Sequence, residues 1–189
     1  MSISPGCLAL LGLIFVFLAC FGFKICSYYC KFKTIKVFMF KGNKLVLIEF
    51  AIYYLTMITQ AIYLIHRNGI NPVISAVGVL IMILGSILIL IGQLHLGNSW
   101  RIGIDHQNRT ELVMHGIYKY CRNPIFSGVI IILIGYYLLL PTLLSTALLI
   151  LSIIAIGRQI VEEEKYLIKE HQELYINYVK KTGRFIPFV

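Results

Sequence analysis

The run from Pro124 to Gly157, PIFSGVIIILIGYYLLLPTLLSTALLILSIIAIG, holds 34 residues and no charged side chain. One bilayer crossing takes about 20 apolar residues, so the run is too long for a single span. Pro141 divides it, because proline removes a backbone donor and clashes with the preceding turn. The halves, Ile125–Leu140 and Leu143–Gly157, are each short and read as a tight helical hairpin. Upstream, Asn68 to Trp100 carries no full charge and supplies a third apolar segment, Val73–Leu96. Leu45–Ile65 is another, with one acid, Glu49, near its start. Residues 1–23 carry no charge, and Cys7–Phe23 is long enough to enter or cross a bilayer. A cleavable signal peptide has its positive charge before the apolar stretch. Here the lysines follow, from Lys24 onward, as expected of a retained anchor.

Composition agrees with five apolar segments. Of the 189 residues, 59% are hydrophobic and 13% charged, against roughly 25% charged in soluble domains. A water-soluble globular domain is excluded on that ground. Abundant aliphatic and aromatic residues exclude disorder. The net charge of +9 on so apolar a chain points to anionic lipid rather than nucleic acid.

Lysine and arginine set the orientation. Lys24, Lys31, Lys33, Lys36, Lys41 and Lys44 lie between segments one and two; Arg101, Arg109, Lys119 and Arg122 lie between three and four. Arg158, Lys165, Lys169, Lys180, Lys181 and Arg184 follow segment five. Five crossings place all of these on one face and leave Arg67 alone on the other. The expectation is a single all-α, multi-pass integral membrane domain over residues 1–189. Its N-terminus is non-cytoplasmic and its C-terminus cytoplasmic. Residues 97–124 and 158–189 form a cytoplasmic cap that ends in a C-terminal helix.

Cys7, Cys20, Cys26, Cys30 and Cys121 form no CxxC pair, and the histidines lack zinc-ligand spacing to them. They read as buried thiols with no metal expected, although Cys26 and Cys30 sit where a membrane-edge cysteine could be lipidated.

Seven of the eight acids fall in the expected cap: Asp105, Glu111, Glu162, Glu163, Glu164, Glu170 and Glu173. From about Arg158 to Lys181 the pattern is helical. Ile160, Leu167 and Leu174 repeat at seven, as do Val161, Ile168 and Tyr175. At about 100° per residue, Glu164 and His171 fall inside this apolar stripe, Glu163 at its edge, and Glu162 outside with Lys165 and Lys169. A carboxylate on a packed face needs a partner or a ligand; a loop arginine would serve as well as a substrate. Upstream, Arg122 stands at the edge of a charge-free run as an interfacial anchor would. Asn123 is placed to cap the following helix, with Pro124 in its first turn.

Leu96-Gly97-Asn98-Ser99-Trp100-Arg101, Leu112-Val113, Gly116-Ile117-Tyr118 and Arg122-Asn123-Pro124-Ile125-Phe126 follow one another in order. Glu163-Glu164-Lys165-Tyr166-Leu167, Tyr175, Tyr178 and Thr182-Gly183-Arg184-Phe185-Ile186-Pro187 continue the series. Together, over residues 94–189, they resemble the core of isoprenylcysteine carboxyl methyltransferases. The first ninety residues match only in topology. The resemblance implies a membrane methyltransferase that uses S-adenosylmethionine on a lipidated or lipid-like acceptor, most simply the carboxylate of a prenylated cysteine. By position, Thr110, Glu111, Leu112, Val113, Tyr118, Asn123, Pro124, Ile125 and Phe126 would line the cofactor. Glu163 and its neighbour Glu164 would face it from the tail helix.

The chain departs from the pattern at four places. Asn123 stands for the usual His, Phe126 for Tyr, and His171-Gln172 for Phe-Gly. Gln159 stands where the family carries a substrate-side Arg, and Arg158, one place earlier, is the candidate to hold a substrate carboxylate beside the catalytic Glu163. Phospholipid or other small-lipid methyltransferases are the nearest alternative. Membrane-embedded nicotinamide-dependent reductases and a non-catalytic membrane scaffold are more distant ones.

Overall fold

The computed structural model describes Ile58, Ile62 and residues 71–99, 111–139 and 141–185. The expected segment Cys7–Phe23 and, apart from Ile58 and Ile62, Leu45–Ile65 lie outside these residues, as does Thr110.

Among the described residues from 71 onward lie four helices: α1 Pro72–Leu96, α2 Pro124–Leu139, α3 Leu143–His171 and α4 Glu173–Val179. Single 3-10 turns occupy Gly97–Ser99 and Gly116–Lys119. The described secondary structure is helical apart from one parallel bridge between Cys121 and Gly183. Val73–Leu96 and Leu143–His171 are long and apolar enough to cross a membrane, and Pro124–Leu139 is a shorter apolar helix.

Local chemistry sets the helix starts. The Asn71 side chain accepts from the Val73 N–H at 2.9 Å, with proline at the first position of α1, both standard N-terminal devices. Between α2 and α3 the chain turns at Pro141, as its sequence requires. Thr142 then caps α3 reciprocally with Ser145: Ser145 N–H donates to Thr142 Oγ1 at 3.2 Å and Thr142 N–H to Ser145 Oγ at 2.8 Å.

α1 and α2 pack antiparallel along a seam of glycines. A Cβ on Gly78 would lie 2.8 Å from the Gly135 carbonyl oxygen, and one on Gly85 would lie 2.7 Å from that of Gly128. A Cβ on Gly92 would lie 2.9 Å from the Ile125 side chain and 3.4 Å from the Pro124 ring. The seven-residue steps from Gly78 to Gly85 to Gly92, and from Gly128 to Gly135, keep these glycines on one stripe of each helix. Backbones that touch gain close van der Waals contact where burial from water contributes nothing. Large apolar side chains remain exposed on the other faces, among them Leu80, Ile83, Leu84 and Ile87 of α1 and Ile150, Leu151, Ile153 and Ile154 of α3. Stripes of this kind suit hydrocarbon rather than water.

Two expectations need correction. The fifth apolar segment and the tail helix are not separate elements: α3 runs unbroken from Leu143 through Gly157 to His171. A change from apolar to charged residues does not stop a helix, and a single glycine costs only about 1 kcal/mol there. The tail helix also does not reach Lys181. It breaks at Gln172, whose φ of 49° and ψ of −125° lie in a region that favours glycine, and α4 follows as a separate helix until Val179.

Candidate functional site

Three strands of chain converge beyond the N-terminus of α2: the loop 116–123, the charged half of α3, and the tail 179–185. Tyr118 is buried, and its carbonyl accepts the Tyr178 hydroxyl at 2.5 Å. The tail runs beside the loop. Gly183 O accepts from Arg122 N–H at 2.9 Å, and Arg184 O accepts from Asn123 N–H at 3.2 Å. The buried Cys121 thiol donates toward the Arg184 and Phe185 carbonyls at 3.5 and 3.3 Å.

Arg122 is the hub of this corner rather than an interfacial anchor. Its Nε and Nη2 donate to Glu164 Oε1 at 3.3 Å each. Its Nη1 donates to the Val179 carbonyl at 3.1 Å and to the Thr182 carbonyl. Val179 ends α4, so the guanidinium also satisfies a helix C-terminus, where positive charge is favoured. Glu164, expected to line the cofactor, is committed elsewhere: Arg184 donates from Nη2 to Oε2 at 2.5 Å and from Nε to Oε1 at 3.2 Å. Asn123 Nδ2 adds a bond to Oε1 at 3.4 Å and another to the Arg184 carbonyl at 3.3 Å. The Asn123 side-chain amide thus points into the corner, while its backbone carbonyl receives Ser127 N–H of α2. The side chains of Arg122 and Glu164 are only 9% and 10% exposed, that of Arg184 45%. Burial makes the first pair the structural bond of the corner and the second a lid on it. The hydrogen bond that Arg184 donates to Glu164 raises its already high pKa, so its charge is permanent.

Glu163, the adjacent acid, has a different environment. It is half-buried, and Gln159 Nε2, one turn earlier, donates to its Oε1 at 2.9 Å. Burial raises its carboxyl above the ordinary carboxylate range, and the Gln159 hydrogen bond opposes that rise. The Tyr118 hydroxyl is raised above its ordinary value first by burial, then by Tyr178, Cys121 and Glu163. Burial likewise pushes Tyr175 up to about 12, with Glu164 and Glu163 adding to it and Arg122 and Arg184 opposing. These hydroxyls are therefore neutral donors at physiological pH. Tyr175 and Tyr178 pack edge to face, 5.8 Å between centroids.

The remaining expected residues divide. Pro124 is buried, and Leu112, Val113, Ile125 and Phe126 are half-buried; Pro124 and Ile125 also face Gly92 of α1. Glu111 is exposed, and its carbonyl accepts from Ser99 Oγ at 3.3 Å. Glu162 is exposed and paired with Lys165 at 2.8 Å, as its outward position on the helix requires. Arg158 is exposed on the unbroken α3, so it projects about 100° around the axis from Gln159. Helix periodicity had placed Glu163 and Glu164 inward. It missed Arg184 as the partner of Glu164, since a contact across twenty residues and a chain reversal leaves no periodic trace.

A model of the isoprenylcysteine carboxyl methyltransferase (ICMT) family matches residues 77–169. That range holds Tyr118, Arg122, Asn123, Glu163 and Glu164 and ends before Arg184. The chain is similar to a probable protein-S-isoprenylcysteine O-methyltransferase of Oryza sativa subsp. indica, 28% identical over 119 residues, covering 61% of this chain and 62% of the rice protein. It is 32% identical over 118 residues to the protein-S-isoprenylcysteine O-methyltransferase of Saccharomyces cerevisiae, covering 61% of this chain and 49% of the yeast protein. The matches thus span about three fifths of the rice relative and half of the yeast one.

Proposed function

The chain belongs to the isoprenylcysteine carboxyl methyltransferase family, and from that premise we propose that it is a membrane methyltransferase acting on the carboxylate of a prenylated cysteine, with S-adenosylmethionine as donor. The observation that carries this reading is the division of labour between adjacent acids. Glu164 is neutralised by two arginines and holds the corner, while Glu163, half-buried, accepts from the neutral Gln159.

The donor set fits such a cofactor. A carboxylate suits its positive charge, neutral hydroxyls suit its polar groups, and half-buried Leu112, Val113, Ile125 and Phe126 suit an adenine ring. Glu163 and Tyr118 would hold it, with the exposed Glu111 at the rim. When bound, the sulfonium supplies a methyl group already activated for transfer. The residues of this chain then have to align donor and acceptor and keep water out, a positioning contribution of up to about 7–11 kcal/mol. A carboxylate acceptor carries no proton to remove, so the corner needs no general base. Arg158 would meet the acceptor carboxylate through its planar fork. A lipid-tailed acceptor would approach from the bilayer, with the corner on the cytoplasmic side that the lysine and arginine distribution favours.

A phospholipid or other small-lipid acceptor is the second reading. One observation favours it: the residue bonded to Glu163 is the neutral Gln159, with Arg158 about 100° around the helix from it. The test incubates the detergent-purified full chain with methyl-labelled S-adenosylmethionine and either a prenylcysteine or phospholipid vesicles. Label in a base-labile ester of the prenylcysteine is expected, with Arg158→Ala raising KM for that acceptor. Label in the phospholipid, or none in either, would overturn the prenylcysteine reading.

A further inference from the structure

His95, one residue before the end of α1, lies flat against the backbone of Gly116. A Cβ on Gly116 would come within 2.7, 2.8 and 2.9 Å of His95 Cγ, Cδ2 and Nδ1. Gly116 also has a φ of 61°, so space and conformation both require glycine. The next residue completes the contact: Ile117 N–H donates to His95 Nδ1 at 3.3 Å. A ring nitrogen that accepts carries no proton, which leaves the proton of the neutral ring on Nε2.

The turn held in this way is the one that bears Tyr118. Cys121 N–H closes it onto the Ile117 carbonyl at 3.1 Å, and Tyr178 grips the Tyr118 carbonyl from the other side. α1, in turn, is fixed to α2 by the glycine seam. His95 therefore connects the glycine-packed helix pair α1–α2 to the loop that bears Tyr118.

We infer that His95 is a positioning residue: by accepting from Ile117 and packing on Gly116 it fixes the Tyr118 turn, and so sets the affinity for the methyl donor without taking part in transfer. The donor part rests on the reading of this corner given above. Leaving the Ile117 N–H without its acceptor makes that amide and the turn around it easier to open.

Two substitutions separate acceptor from bulk. His95→Phe keeps a ring against Gly116 and removes the acceptor. His95→Asn places an oxygen near the position of Nδ1. Hydrogen exchange at the Ile117 amide and steady-state methyl transfer are read on the full chain in detergent. His95→Phe should speed exchange and raise donor KM about tenfold, equivalent to about 1.4 kcal/mol, with kcat within about twofold; Asn should recover most of both. Unchanged exchange in His95→Phe would overturn the anchoring. Faster exchange with an unmoved donor KM, or equal losses in Phe and Asn, would overturn the positioning role. A wild type that transfers no methyl group would sink the reading of the site and the donor half of this inference, while exchange at Ile117 would still decide whether His95 holds the turn.

Discussion

Along the α1–α2 seam the two backbones meet at glycines with no side chain between them, whereas the corner beyond α2 is held together by two arginines, one carboxylate and three tyrosines. The seam is intolerant of volume and indifferent to charge. The corner is the reverse: its members are long and adaptable, and its balance depends on Glu164. A membrane protein gains little from hiding apolar surface within lipid, so the seam relies on close approach. The corner belongs to the polar part of the chain and can use charge, at the risk of stranding it.

The largest expected effect breaks the seam. Gly85→Val puts methyl groups where a Cβ alone would already lie 2.7 Å from the Gly128 carbonyl oxygen and 2.8 Å from Ile132 Cγ1. The loss should be about 3 kcal/mol, the upper end for overpacking, because the obstacle is backbone. Gly157→Ala, with nothing within 4 Å of its Cβ, should instead be neutral or gain up to about 1 kcal/mol. Chemical unfolding in detergent measures both, and equal effects would mean that the seam is not formed.

The corner should answer to charge. Glu164→Gln strands the buried Arg122 guanidinium and should cost about 3 kcal/mol. Arg184→Gln removes the half-exposed partner, leaves the Arg122–Glu164 pair whole, and should cost about 1 kcal/mol or less. Unfolding of the two variants at low and high salt is the check: the Arg184 effect should shrink with salt and the Glu164 effect persist. The reverse ranking would make Arg184 the principal partner.

The smallest effect sharpens the boundary between α3 and the corner. Gln172 holds a backbone conformation that costs an ordinary residue of the order of 1 kcal/mol or more. Gln172→Gly should therefore raise stability by up to about 1 kcal/mol, offset by the greater freedom of glycine in the unfolded chain. A loss in the same unfolding experiment would show that the glutamine side chain has a use of its own.

What the sequence reveals follows the same division. Pro141 and Thr142 are local signals, and the turn between α2 and α3 was legible from them. Glu162 outward and Glu164 inward follow from helix periodicity alone. The break at Gln172 is not legible from propensity, since glutamine is an acceptable helix former; the tail turns there because residues 183 and 184 pair with 121–123. The resemblance did hold a clue, because the family pattern places glycine at that position. Arg122 read as an anchor because sequence gives its charge and its place at the edge of an apolar run, not its partners. The glycine steps of seven were present in the sequence, but only the matching stripe on α2 gives them meaning.

Direct binding of labelled S-adenosylmethionine to the purified chain tests the central claim, that Glu163 and not its neighbours meets the donor. Dissociation constants are measured for wild type, Glu163→Gln and Glu162→Gln, with unfolding stability recorded for each. The account predicts at least a tenfold loss of affinity, about 1.4 kcal/mol, for Glu163→Gln at unchanged stability, and little change for Glu162→Gln. Wild-type affinity in Glu163→Gln, or equal losses in both variants, would contradict it.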